Sequence, residues 1–90
     1  MSTTARTILI TNRRGLHARA SAKFVNLASE IATKVEVEKD GNRVCGTSIM
    51  GLMMLGAAMG DTIVIHCAGD GCAESIEQLA QLVESRFGED

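Results

Sequence analysis

Three observations point to an α+β fold in which one sheet carries helices on one face. Strand-like and helix-like hydrophobic periods alternate along the 90 residues in the order β-α-β-β-α-β-α. The dipeptide Asp40-Gly41 is a two-residue turn signal that joins the middle strands as a hairpin. A β-α-β unit lies on either side of that hairpin. Closing both units around one apolar layer gives a four-stranded, largely antiparallel sheet covered on one face by helices. Residues 1–90 are expected to form a single domain with a modest core.

Composition narrows the function classes. Apolar residues make up 46% of the chain and charged residues 22%, the balance of an ordinary globular protein. Phe24 and Phe87 are the only aromatics, so Ile, Leu, Val, Met and Ala must build most of the core. Stacking on bases is disfavoured by that poverty, and a net charge of −2 argues against a nucleic-acid surface. No stretch approaches a membrane span, and the start Met1-Ser2-Thr3-Thr4-Ala5-Arg6 has no apolar signal region. Cys45, Cys67 and Cys72 are odd in number and form no C-x-x-C pair, which fits a reducing, cytoplasmic compartment.

Arg6-Thr7-Ile8-Leu9-Ile10-Thr11 reads as the first strand, ended by Asn12-Arg13-Arg14 and the breaker Gly15. From about Ala18 to Ile31 the period becomes helical. Ala20, Phe24, Leu27, Ala28 and Ile31 share one face, and Arg19, Lys23, Asn26 and Glu30 form a wet stripe opposite. Lys34–Lys39 alternates as a strand with one buried side, turns at Asp40-Gly41 and returns through Arg43-Val44-Cys45.

A short helix over Ile49–Leu55 follows, capped by Ser48 or Thr47. All of its residues are apolar or glycine, so it has no polar face. Thr62–Cys67 is a β-branched run suited to an interior strand. After Gly69-Asp70-Gly71 the last helix is predicted from about Ala73 to Phe87, with Ile76, Leu79, Ala80, Val83 and Phe87 inward.

The chemistry concentrates in Gly15-Leu16-His17-Ala18-Arg19. A helix N-terminus gathers unpaired backbone N–H groups and partial positive charge, and so favours phosphate. His17 stands at that entry, and its imidazole has a nitrogen available as a nucleophile near neutral pH. Arg19, in the same turn, is placed to meet a phosphoryl group on the ring. The plainer reading is a surface histidine without a role. No Walker-type loop, kinase signature or magnesium-binding carboxylate cluster is present, so another protein must supply the phosphate and another must take it.

Both partners need a docking surface. Ile49, Met50, Leu52, Met53, Met54 and Leu55 cannot all turn inward from one short helix, so they are expected to serve partly as core and partly as an adaptable patch. Ser48 reads on spacing alone as a plain cap; a phosphate there would add negative charge beside the patch. Arg13 and Arg14 are simplest as a solvated turn, though a basic rim near His17 would attract acidic partners. Cys45 and Cys67 are expected to be small hydrophobes in or near the sheet. His66, near Cys67 and Cys72, has too few ligands at finger-like spacing for a metal site. No metal and no cofactor is expected.

These residues resemble a known family. Gly15-Leu16-His17-Ala18-Arg19, the following Ala22-Lys23-Phe24-Val25, and Ser48-Ile49-Met50-Gly51-Leu52-Met53-Met54-Leu55 are similar to the phosphocarrier proteins of the bacterial phosphotransferase system, the HPr family with its nitrogen-related NPr branch. The likeness spans nearly the whole chain. It implies an open-faced β-sandwich with strand order 1-4-2-3 and three helices on one side. His17 becomes the phosphorylated residue, on Nδ1, and Arg19 its phosphate-stabilising partner. Phosphate would come from phosphoenolpyruvate through enzyme I and leave to a histidine of an EIIA-type protein. Ser48 becomes the residue that a dedicated HPr kinase/phosphorylase modifies in some bacteria.

The family usually has proline directly after the arginine, where this chain has Ala20. Alanine is an excellent helix former, so the helix start is expected to survive. A monomer with transient partners is expected. A rival reading is a non-catalytic regulatory module whose phosphorylation controls binding to a kinase or transcription factor. A weaker one is a metal or ligand carrier using His66 and the cysteines.

Overall fold

The computed structural model describes residues 3–31 and 33–89. The lead-in read at Met1 and Ser2 lies outside them. Four strands and three helices follow in the order β1 (Thr3–Leu9), α1 (Ala18–Glu30), β2 (Lys34–Lys39), β3 (Asn42–Cys45), α2 (Ile49–Met54), β4 (Thr62–Ala68) and α3 (Cys72–Glu84). The strands form one sheet of order β1-β4-β2-β3, and every neighbouring pair is antiparallel. The order that the resemblance implies is therefore the order found.

Strand alternation sorts side chains to the two faces of this sheet. Ile8, Val35, Val37, Ile63, Ile65 and Cys67 are buried under the helices. From the helices Ala20, Phe24, Ala28, Ile76, Leu79, Ala80 and Val83 meet them. The outward set, including Thr7, Val64 and Glu38, pairs across the strands in the same register. The predicted wet stripe of α1 is exposed at Arg19, Lys23, Asn26 and Glu30.

The hairpin forms where Asp40-Gly41 predicts it. Lys39 pairs with Asn42, and both turn residues have positive φ (52° and 84°), the twist-matched geometry of a two-residue loop.

Three boundaries depart from the sequence reading by more than one residue. β1 begins at Thr3 rather than Arg6, because Thr3–Ala5 pair with the far end of β4. It ends at Leu9, and Ile10 and Thr11 continue outside the ladder, Ile10 N–H bonding instead to the carbonyl of Asp61. α3 stops at Glu84 instead of running to Phe87. Ser85 Oγ bonds back to the Leu82 carbonyl at 2.8 Å, and Arg86 and Phe87 then take left-handed φ values of 60° and 55°. That bend swings Phe87 into the core, where it is fully buried, and its carbonyl accepts from Lys23 Nζ at 2.6 Å. Left-handed backbone at a bulky residue costs about 1–2 kcal/mol. Burying the ring gains roughly 1.5–3 kcal/mol, comparable to that cost summed over the two residues.

Candidate functional site

Gly15 shapes the approach to His17. Its φ is +61°, and a Cβ there would lie 2.2 Å from the Ala57 carbonyl oxygen and 2.8 Å from Ala58 Cα. Only glycine satisfies both demands. Leu16 N–H then bonds to the Ala57 carbonyl at 2.9 Å, pinning the segment before His17 to the loop that follows α2.

His17 is the N-cap residue of α1, in extended conformation, and its side chain makes no capping bond. The first backbone bond of the helix runs from Ser21 N–H to the His17 carbonyl at 2.9 Å. The N–H groups of Ala18, Arg19 and Ala20 precede that bond and have no acceptor among the described residues. Ser21 is buried, and its hydroxyl donates to the Leu16 carbonyl at 3.1 Å, locking the turn from below. Arg19 is exposed in the first turn, with no hydrogen-bonded partner among the described residues. The helix therefore starts where expected despite alanine at position 20.

The imidazole is held from one side. Nε2 lies 2.9 and 3.0 Å from the two carboxylate oxygens of Glu89, with the two side chains 15% and 19% exposed. Asn12 Nδ2 donates to Glu89 Oε1 at 2.9 Å and to the Gly15 carbonyl at 2.8 Å. The Asn12 amide and the hydrogen bond to His17 hold the Glu89 carboxyl below the ordinary glutamate range. Nδ1 of His17 has no hydrogen-bonded partner among the described residues.

Neither Asn12 nor Glu89 stands out in the sequence. Asn12 belongs to the polar run that ends the first strand, yet it is fully buried. An asparagine three residues before a turn glycine was its one signal. Glu89 lies 72 residues away and carried none.

Ser48 is the N-cap of α2, its hydroxyl accepting from Gly51 N–H at 3.0 Å. Of the apolar residues that follow, Ile49, Met50, Met53 and Met54 are exposed, Met50 and Met54 by 71% and 80%. Leu55 is half-buried against the core. Leu52 corrects the expectation of a docking role: it is fully buried, on the one face of α2 that turns inward. Met59, not foreseen, is exposed in the loop beyond α2.

His66 and Cys67 are adjacent on β4 and so project to opposite faces. His66 pairs with Glu38 at 2.6 Å on the outer face, while Cys67 is buried. A joint site is broken by that alternation, and no group of three or more His, Cys, Asp or Glu among the described residues could hold a metal ion. Cys45 is in the sheet as expected but exposed, because β3 is an edge strand.

No helix among the described residues is long and apolar enough to cross a membrane.

A half-buried imidazole at a helix entry, an arginine in the first turn with no partner among the described residues and an exposed apolar helix suit transient contact with other proteins. Comparison with known proteins agrees. Residues 4–85 match the family model described as the PTS HPr component phosphorylation site. The phosphocarrier protein HPr of Neisseria meningitidis serogroup A is 49% identical over 82 residues, covering 91% of this chain and 92% of that protein. The phosphocarrier protein NPr of Shewanella violacea is 33% identical over 89 residues, covering 99% and 98%. The crystal structure titled HPr-C-His from Thermoanaerobacter tengcongensis superposes with a TM-score of 0.91 at 44% identity, covering 97% of this chain and 98% of that one. With its fold, strand order and motif region all matched, the chain belongs to the HPr family, the phosphocarriers of the bacterial phosphotransferase system.

Proposed function

We propose that His17 is the residue that carries the phosphoryl group, accepting it from phospho-enzyme I and passing it to a histidine of an EIIA-type protein in the cytoplasm. The observation that carries this reading is the half-buried imidazole at the head of α1, bound through Nε2 and open at Nδ1. The N–H groups of Ala18 and Arg19 and the guanidinium of Arg19 would receive the phosphate oxygens. Because a carrier must release what it binds, weak, reversible contacts of this kind suit it better than a closed pocket.

Docking of donor and acceptor in turn falls to Ile49, Met50, Met53 and Met54, with Leu55 at the margin. Methionine adapts to more than one partner surface. A phosphate on Ser48 would replace the hydroxyl that caps α2 by a charged group beside this patch and weaken an acidic partner's grip. Incubation with ATP and an HPr kinase/phosphorylase, read by intact mass with Ser48→Ala as control, checks that regulatory step.

The carrier role is tested with phosphoenolpyruvate and purified enzyme I, again by intact mass. The expected result is one acid-labile, base-stable phosphate, absent in His17→Ala. Stable binding of a regulatory partner with no phosphate transfer would instead favour a non-catalytic module.

A further inference from the structure

We propose that Glu89 is a positioning residue for His17: its carboxylate keeps the ring proton on Nε2 and leaves Nδ1 as the nitrogen that takes the phosphoryl group. This rests on the reading of His17 as the phosphoryl acceptor. An ionised carboxylate can only accept hydrogen bonds, and both Glu89 oxygens lie within 3.0 Å of Nε2, so Nε2 is the donor. A neutral imidazole has a single ring proton. Nδ1 is then bare, and its lone pair points away from the carboxylate.

Glu89 is itself held in place. The Asn12 amide donates to Glu89 Oε1 and to the Gly15 carbonyl, and since both partners are acceptors its orientation is settled. That orientation leaves Asn12 Oδ1 buried with no hydrogen-bond partner. A buried unpaired carbonyl is costly, and here the cost accompanies the two bonds that tie Glu89 to the Gly15 segment before His17. The bend at Arg86 and Phe87 delivers Glu89 to this place, anchored by the buried Phe87 ring and by Lys23 on the Phe87 carbonyl.

The arrangement matches the chemistry of the step. The Nδ1 lone pair of His17 attacks phosphorus on a donor phosphohistidine whose other ring nitrogen is protonated. The donor N–P bond breaks, its electron pair returning to the donor ring, as the Nδ1–P bond forms. His17 retains its Nε2 proton throughout. Its ring gains one positive charge as the donor ring loses one, and the Glu89 carboxylate faces the nitrogen where that charge is shared. A hydrogen bond between two charged groups is stronger than one to a neutral ring, so Glu89 also favours the phosphorylated state.

The test compares wild type with Glu89→Ala, Glu89→Gln and His17→Ala in the full chain. The nitrogen shifts of histidines labelled with ¹⁵N report the tautomer of His17, with His66 as internal reference. Transfer from phosphoenolpyruvate through enzyme I reports the reaction. The wild type is expected to show one tautomer, protonated on Nε2. Glu89→Ala is expected to show a mixture, and transfer slowed roughly tenfold, the scale at which a lost orienting partner is felt. Glu89→Gln, whose side-chain carbonyl still accepts a bond, is expected to restore the single tautomer. An unchanged tautomer in Glu89→Ala overturns the positioning role whatever happens to the rate. In that case loss of phosphate in His17→Ala leaves the acceptor reading standing, whereas phosphate retained in His17→Ala sinks both.

Discussion

His17 is gripped from behind by a carboxylate 72 residues away, and that pair gives the site a defined response to acid. The Asn12 and His17 hydrogen bonds depress the Glu89 carboxyl below its ordinary value of 4.5. The unfolded chain therefore takes up a proton here before the folded chain does. The stability this contributes is fully present above the ordinary value and is lost as the pH falls through the lower folded one. Thermal melts of wild type and Glu89→Gln are expected to differ at neutral pH and to converge in acid.

The cysteines separate just as clearly at this scale. The Thr47 hydroxyl, 3.0 Å from Cys45 Sγ, lowers the Cys45 thiol, which is exposed. Burial and the neighbouring Cys67 push Cys72 up to about 11. Thiolate is the reactive form, so iodoacetamide at neutral pH is expected to label Cys45 in the folded protein. Cys67 and Cys72 are expected to react only after denaturation, as peptide mapping would reveal.

Elements show how one short helix divides its labour. α2 spans Ile49–Met54, too few residues for an apolar sequence to hide every side chain, so Leu52 goes to the core and the methionines to the surface. Leu52→Ala is expected to destabilise by about 2–5 kcal/mol, the range for truncating a buried leucine. Met54→Ala is expected to stay within about 0.5 kcal/mol of wild type and to weaken binding to enzyme I. Denaturant melts and titration calorimetry distinguish the two. A Met54→Ala protein that binds as wild type would remove that residue from the docking surface.

α1 makes a second point about elements. Since Ser21 N–H is the first helical donor, Ala20 contributes none, and Ala20→Pro breaks no backbone hydrogen bond. Its stability is expected to lie within about 1 kcal/mol of wild type with phosphate transfer retained. A melt that fell by several kcal/mol would mean that the fully buried site around Ala20 has no room for the ring.

For the whole molecule, Phe87 joins folding to function. Its ring completes the core between α1 and the end of α3, and its place in the chain sets where Glu89 arrives. Phe87→Ala is expected to cost about 3–5 kcal/mol and to loosen Glu89 from His17 as well. A stability loss in urea with an unchanged His17 tautomer would show that the core anchor and the site are uncoupled.

Local physics determined much of this protein without help from the fold. The local patterns placed all seven elements within three residues, Asp40-Gly41 set the hairpin, and Gly15-Leu16-His17-Ala18-Arg19 marked the candidate site. Those signals are legible because each depends on residues a turn or a strand apart. The end of α3 was misread for the opposite reason. Phe87 continues the helical spacing of Ile76, Leu79 and Val83, and only the shape of the core decides that a left-handed bend buries it better. Asn12, the choice of Leu52 over its neighbours, and the Glu89 carboxylate behind His17 were likewise decided in three dimensions. Each depends on contacts between distant segments, and no sequence period encodes a contact between residues 17 and 89.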